Sequence, residues 1–265
     1  MNNSKYYSLA LEALAELAPE LAAAKNSEHT HPAPIRLPLD KVLTGLGNLP
    51  TGAQFLGMAE DGLPVLLDLF DPTPGPLLLL GDEQAGKTAF LKMIAQATVQ
   101  MYSPDEIQFG IVASNRNEWG DFESLPHCAG ATSLPETDSM ELIASLFEWA
   151  HQNHSDGRVA LLLLDGFDRI NQWGESTRSQ LRWLLLRGPA RRVWPIVTLN
   201  SNRVADIKEW LPLFRTLIYG RISNGPLTET LSDANHANLE TLRGGTEFSM
   251  REGNHWIRFW IPSLG

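Results

Sequence analysis

Between Gly81 and Thr88 the chain reads Gly-Asp-Glu-Gln-Ala-Gly-Lys-Thr, which fits the spacing Gly-x-x-x-x-Gly-Lys-Ser/Thr at every fixed position. Each residue type has a task in holding a polyphosphate. Gly81 and Gly86 permit the backbone angles and close approach by which the N–H groups of Asp82, Glu83, Gln84, Ala85, Lys87, Thr88 and Ala89 can surround phosphate oxygens. Lys87 supplies a point charge for the β- and γ-phosphates, and the Thr88 hydroxyl can complete a Mg²⁺ shell. The chemistry on offer is the binding of ATP or ADP with Mg²⁺.

Two further groups stand where they could join that site. Val159–Leu164 is a continuous apolar run ending in Asp165, and a carboxylate at the carboxyl end of a central strand lies beside a phosphate loop, where it can hold Mg²⁺ directly or through water. The apolar run Ile196–Leu199 likewise ends in Asn200-Ser201-Asn202-Arg203, and the most basic cluster in the chain, Arg187 to Arg192, precedes it. Thr88 and Asp165 are the candidate metal ligands. His29 and His31 lack nearby partners, so no metal site is expected there.

The elements that must position these groups follow from periodicity. Leu77–Leu80 is a buried-type strand before the loop, and Phe90, Met93, Ile94, Ala97 and Met101 recur at helical spacing after it. The spacing predicts strands over Ile107–Ala113, 158–164, 196–199 and 216–222, helices over 141–151 and 175–186, and a terminal strand pair around 247–250 and 256–261. Ahead of the loop, 54–58 and 64–70 flank Ala59-Glu60-Asp61-Gly62, which reads as a hairpin with an Asp-Gly turn. Alternating β/α units imply an α/β fold: a mostly parallel sheet with helices on both faces, of the RecA-like P-loop class, with added β-hairpins.

Residues 6–25 carry Leu9, Leu11, Leu14, Leu17 and Leu21, an amphipathic helix interrupted near Pro19 that either packs on its own domain or docks on a neighbour as an arm. Residues 26–34 read as a linker, so 1–34 is set apart from a domain spanning 35–265. The eight tryptophans fall mostly at apolar helix or strand positions and are assigned to packing rather than base stacking. Cys128 beside His127 lacks a third group and is assigned as a buried thiol.

With 265 residues and 43% hydrophobic content the chain can bury one large core. A net charge of −10 excludes a broad basic face that coats nucleic acid, and leaves room for a ring whose pore alone is basic, so DNA stays a possible partner. One cysteine suits a reducing compartment, and no signal-like N-terminus or span-length apolar run is present, so a soluble cytoplasmic protein without membrane insertion is expected.

From the hairpin to the C-terminus, about residues 50–262, the order of features resembles the FtsK/SpoIIIE and HerA group of P-loop motor ATPases. Gly57-Met58-Ala59-Glu60-Asp61-Gly62 with Val65-Leu66-Leu67-Asp68 is similar to the hairpin before the family's phosphate loop. Glu118 to His127, ending Leu125-Pro126-His127, is similar to the segment after the family's second strand. Ala190-Arg191-Arg192, the strand ending Leu199-Asn200-Ser201-Asn202-Arg203, and the turn Leu242-Arg243-Gly244-Gly245-Thr246-Glu247-Phe248 resemble the family's later landmarks.

The resemblance implies an ATPase in which Lys87 and Asp165 act at the phosphates and metal. It also implies that Asn202 stands where a γ-phosphate-sensing Gln is expected. Arg191 either reaches a neighbour's site or is a solvated helix-end charge. Partners implied are further copies in a ring, or other subunits of a machine that moves DNA or protein. Departures bear on turnover. The family's Glu after the strand-end Asp is here Gly166, and its Asp-Pro-Lys is replaced by Ala113-Ser114-Asn115-Arg116. An Asp-Gly pair resembles the altered ATPase domains of secretion-system members, which bind nucleotide and hydrolyse it poorly. Glu83 or Asp168 could replace the missing base, and Gly166→Glu is expected to raise turnover. The alternative is a degenerate nucleotide-binding structural or regulatory subunit.

Overall fold

In the computed structural model, residues 37–134, 137–152, 157–223, 238–253 and 255–264 are described. The helix expected over 6–25 and the linker 26–34 lie outside them.

Leu77, Leu78, Leu79 and Leu80 are each fully buried. Successive strand side chains point to opposite faces, so burying all four requires cover on both sides. The strands are β1 (Ala53–Ala59), β2 (Pro64–Asp68), β3 (Leu77–Gly81), β4 (Ile107–Ala113) and β5 (Cys128–Ser133), then β6 (Val159–Asp165), β7 (Val193–Asn200), β8 (Thr216–Tyr219), β9 (Glu247–Glu252) and β10 (His255–Trp260). The helices are α1 (Leu39–Leu46), α2 (Lys87–Met101), α3 (Gly120–Glu123), α4 (Thr137–Gln152) and α5 (Glu175–Arg187), besides several short 3₁₀ turns.

All ten strands form one sheet in the order β2-β1-β10-β9-β8-β3-β7-β6-β4-β5. From β8 to β5 neighbours are parallel, and from β8 to β2 they alternate antiparallel. The fold is the expected RecA-like α/β class. The two hairpins are not appendages: β1 pairs with β10 through Met58 and Trp260, so both extend the same sheet. Alternate residues divide the core. Leu77 and Leu79 pack with Phe90, Met93 and Ile94 of α2, whereas Leu78 and Leu80 pack with Ile143 of α4 and Leu181 of α5.

Several elements differ from the sequence-based expectation, among them β8, which ends at Tyr219 rather than 222. β5 carries no strong signal, since Cys-Ala-Gly-Ala-Thr-Ser lacks large apolar residues and lies at a sheet edge, whereas the unexpected α1 does place Leu39, Val42, Leu43 and Leu46 at helical spacing, over only eight residues. β7 starts at Val193 rather than Ile196, although it contains Pro195. Its pairing with β3 begins only at Ile196, so at Pro195 the strand has a neighbour on the β6 side alone and the missing N–H interrupts no ladder with β3. Helix α4 begins at Thr137, ahead of the expected 141. No helix among the described residues is long and apolar enough to cross a membrane.

Candidate nucleotide site

The carboxyl ends of β3, β6 and β7 come together because the parallel register pairs Gly81 with Asn200 and Asp165 with Thr198. The loop after β3 turns through Gln84 (φ 62°) and Gly86 (φ 95°) into α2, leaving the N–H groups ahead of Lys87 at the positive end of that helix. Gly86 is required twice over. Its φ is left-handed, and a Cβ there would come within 2.6 Å of Gly245 Cα, while Gly245 N–H donates to Ala85 O at 3.1 Å. The C-terminal glycine turn thus rests on the loop.

The Lys87 ammonium donates to Gly81 O (3.0 Å) and Asp82 O (2.6 Å). Burial pulls its pKa down, against the upward pull of Asp165, Asp82, Glu83 and Asp168. Thr88 Oγ1 donates to Asp165 Oδ2 at 2.7 Å. A hydroxyl and a carboxylate in contact suit Mg²⁺, which takes one or two protein ligands and completes its octahedron with phosphates and water. No cluster of three or more His, Cys, Asp or Glu able to hold a metal occurs among the described residues.

Thr198 and Asp82, neither singled out for a particular side-chain role in the sequence, brace this group. Thr198 Oγ1 donates to Asp165 Oδ1 (2.7 Å) and accepts from Gly166 N–H (3.0 Å). Asp82 accepts from the Ser201 hydroxyl and from Ser223 N–H at 2.8 Å. Burial pushes the Asp82 carboxyl up, but these hydrogen bonds and the charge of Lys87 outweigh it, so its pKa lies below the usual carboxylate value. The available signal for Thr198 was a lone hydroxyl within an apolar central strand.

Gly166 has φ 110° and ψ 57°, and a Cβ built there would overlap Ser114 Oγ. The expectation that Gly166→Glu raises turnover is therefore corrected: Ser114 fills the first part of the path such a side chain would take. Asn202 follows β7 in an exposed turn at the same end of the sheet as the loop. Arg191 precedes β7, at the opposite end of the sheet from its own phosphate loop. Glu83 is exposed at the loop tip and Asp168 is half-buried, both within electrostatic reach of Lys87. His127 Nε2 meets Tyr102 O at 2.9 Å, and Cys128, expected to be buried, is half-buried, with burial raising its pKa.

Residues 53–184, half of the chain, match the model of the FtsK/SpoIIIE family. The chain belongs to that family of P-loop ATPases. No curated protein matches it by sequence. Among solved structures, EssC (ATPases 2 and 3) from Geobacillus thermodenitrificans superposes with a TM-score of 0.72 at 15% identity, over 88% of this chain and 48% of that one. Thermomonospora curvata EccC (ATPases 2 and 3), solved in complex with a signal sequence peptide, gives 0.65 at 14% identity, over 87% and 43%. The pCW3 conjugation coupling protein TcpA, a monomer form with ATPγS, gives 0.61 at 15%, over 88% and 71%. This chain therefore spans less than half of the EssC and EccC chains, and at such identities the likeness establishes the shared fold. As an FtsK/SpoIIIE-family domain it carries the family's ATP-binding P-loop.

Proposed function

We propose that this domain binds ATP with Mg²⁺, hydrolyses it weakly, and works in the cytoplasm as one subunit of a ring or multi-protein machine that moves DNA or protein. Residues 1–34 are read as an N-terminal helix and linker, the helix packing on its own domain or docking on a neighbour, and 35–265 as the ATPase domain. The observation that carries the reading is the contact of Thr88 with Asp165 beside Lys87. In this reading Lys87 turns from the loop carbonyls to the β- and γ-phosphates, backbone N–H groups from Gly81 to Ala89 hold the phosphate oxygens, and Thr88 and Asp165 hold Mg²⁺. Bound Mg²⁺ would neutralise phosphate charge. The Asn202 amide senses the γ-phosphate, and Arg191, placed far from its own loop, serves a neighbour's site.

A nucleotide-loaded structural or regulatory subunit is the second reading, favoured by Gly166, where a left-handed backbone and the Ser114 hydroxyl that an added Cβ would overlap both oppose the usual water-orienting carboxylate. The single cysteine, Cys128, supports a reducing compartment. A thermal scan tests nucleotide binding: Mg-ATP at about a hundredfold over its Kd should add roughly 2.7 kcal/mol, and Lys87→Ala should abolish the shift. No shift in the wild type, or an equal shift in Lys87→Ala, contradicts the reading.

A further inference from the structure

Thr198 is almost fully buried, at 1% exposure, in a strand whose other residues from Val193 to Leu199 are apolar or aromatic. A hydroxyl so placed is unfavourable unless hydrogen-bonded, and this one makes two bonds that constrain one another. Its single proton goes to Asp165 Oδ1, so it must accept from Gly166 N–H, as the 2.7 and 3.0 Å distances allow. The other carboxylate oxygen takes the Thr88 hydroxyl. Asp165 is therefore clamped at both oxygens, by the phosphate-loop helix on one side and by β7 on the other. The strand register makes this possible, since Thr198 lies directly beside Asp165 in the β6–β7 ladder. The same hydroxyl also satisfies the N–H of the left-handed Gly166, so one residue fixes both the carboxylate and the turn that follows it.

We infer that Thr198 is a positioning residue that orients Asp165 for the Mg²⁺ of bound nucleotide. The inference rests on the reading of Asp165 as a Mg²⁺ ligand. Groups that orient a metal ligand typically contribute about 10–100-fold in metal affinity. The test is calorimetric titration of the 265-residue chain with ATPγS, in Mg²⁺ and in EDTA, for wild type, Thr198→Val, Thr198→Ser and Asp165→Asn. Thr198→Val should weaken binding about tenfold in Mg²⁺ and leave the EDTA affinity unchanged, because the phosphate loop itself is untouched. Thr198→Ser, which keeps the hydroxyl, should bind as wild type does. If the valine variant fails to fold, Thr198→Ala carries the same comparison. Equal weakening in EDTA, or a serine variant as impaired as valine, overturns the inference in favour of a packing role. Full Mg²⁺ dependence in Thr198→Val, with loss in Asp165→Asn, overturns it while leaving the metal-ligand reading intact. Full Mg²⁺ dependence in Asp165→Asn overturns both.

Discussion

Asp82 occupies a loop position where the motif accepts any residue, yet its carboxylate takes hydrogen bonds from Ser201 and Ser223 and so ties the phosphate loop to the chain after β7 and after β8. Its folded pKa lies below the ordinary value. The stabilisation is therefore fully present above about pH 4, the unfolded value, and is lost as the pH falls through the lower folded one. Asp82→Asn should cost about 0.5–1 kcal/mol near neutral pH, with solvent screening allowed for, and its deficit in urea denaturation should shrink below about pH 4. A deficit that is the same at every pH would place the effect elsewhere than in the charge. The residues of the motif were legible because glycine, lysine and threonine at fixed spacing have few other uses. Ser114, Thr198 and Ser201 were not, because a hydroxyl acts through what the fold brings to it, here Gly166, Asp165 and Asp82, each distant in sequence and at the carboxyl end of another strand.

The turn after β6 and the glycine turn before β9 show what elements add to the motif. At Gly166 a side chain meets both a left-handed backbone, which costs about 1–3 kcal/mol, and the Ser114 hydroxyl. Gly166→Glu should therefore lower unfolding free energy by at least about 2 kcal/mol in urea and should not raise turnover. Adding Ser114→Gly should restore part of that loss; no restoration would mean that backbone strain, not Ser114, is the obstacle. The Asp-Gly pair was readable in the sequence, but the Gly166 φ and the approach of Ser114 depend on how β4 and β6 align. At the other turn, Gly86→Ala would drive a methyl to 2.6 Å from Gly245 Cα and lift the C-terminal turn off the loop. Thermal unfolding without nucleotide should show a loss of roughly 1–3 kcal/mol, since the clash exists before any phosphate binds. An unchanged midpoint would show that the two turns are uncoupled.

Across the whole molecule, the nucleotide site and Arg191 lie at opposite ends of β7, a strand of eight residues that spans roughly 25 Å. Such a separation puts Arg191 out of reach of its own phosphate loop; if it serves a neighbour's site in a ring, as proposed, nucleotide should promote assembly, to a hexamer as the family resemblance implies, and light scattering should report the change. A monomer at every concentration, with and without nucleotide, would contradict it. The central strands of the parallel half, β3, β4, β6 and β7, were legible because they are buried on both faces and read as apolar runs, whereas the edge strand β5 was not. The joining of the two hairpins through β1 and β10 was not, because antiparallel pairing between distant segments leaves no local pattern. As proposed, the site holds Mg-ATP without the usual means of cleaving it. The most direct test is steady-state turnover of pure protein, alone and with DNA, at Mg-ATP concentrations shown by titration to saturate the site, so that affinity is not mistaken for chemistry. Full occupancy is expected with turnover about 10²–10⁴-fold below that of a site with a positioned base. Robust turnover that disappears on Glu83→Gln or Asp168→Asn would contradict it and would place the working carboxylate beside Lys87.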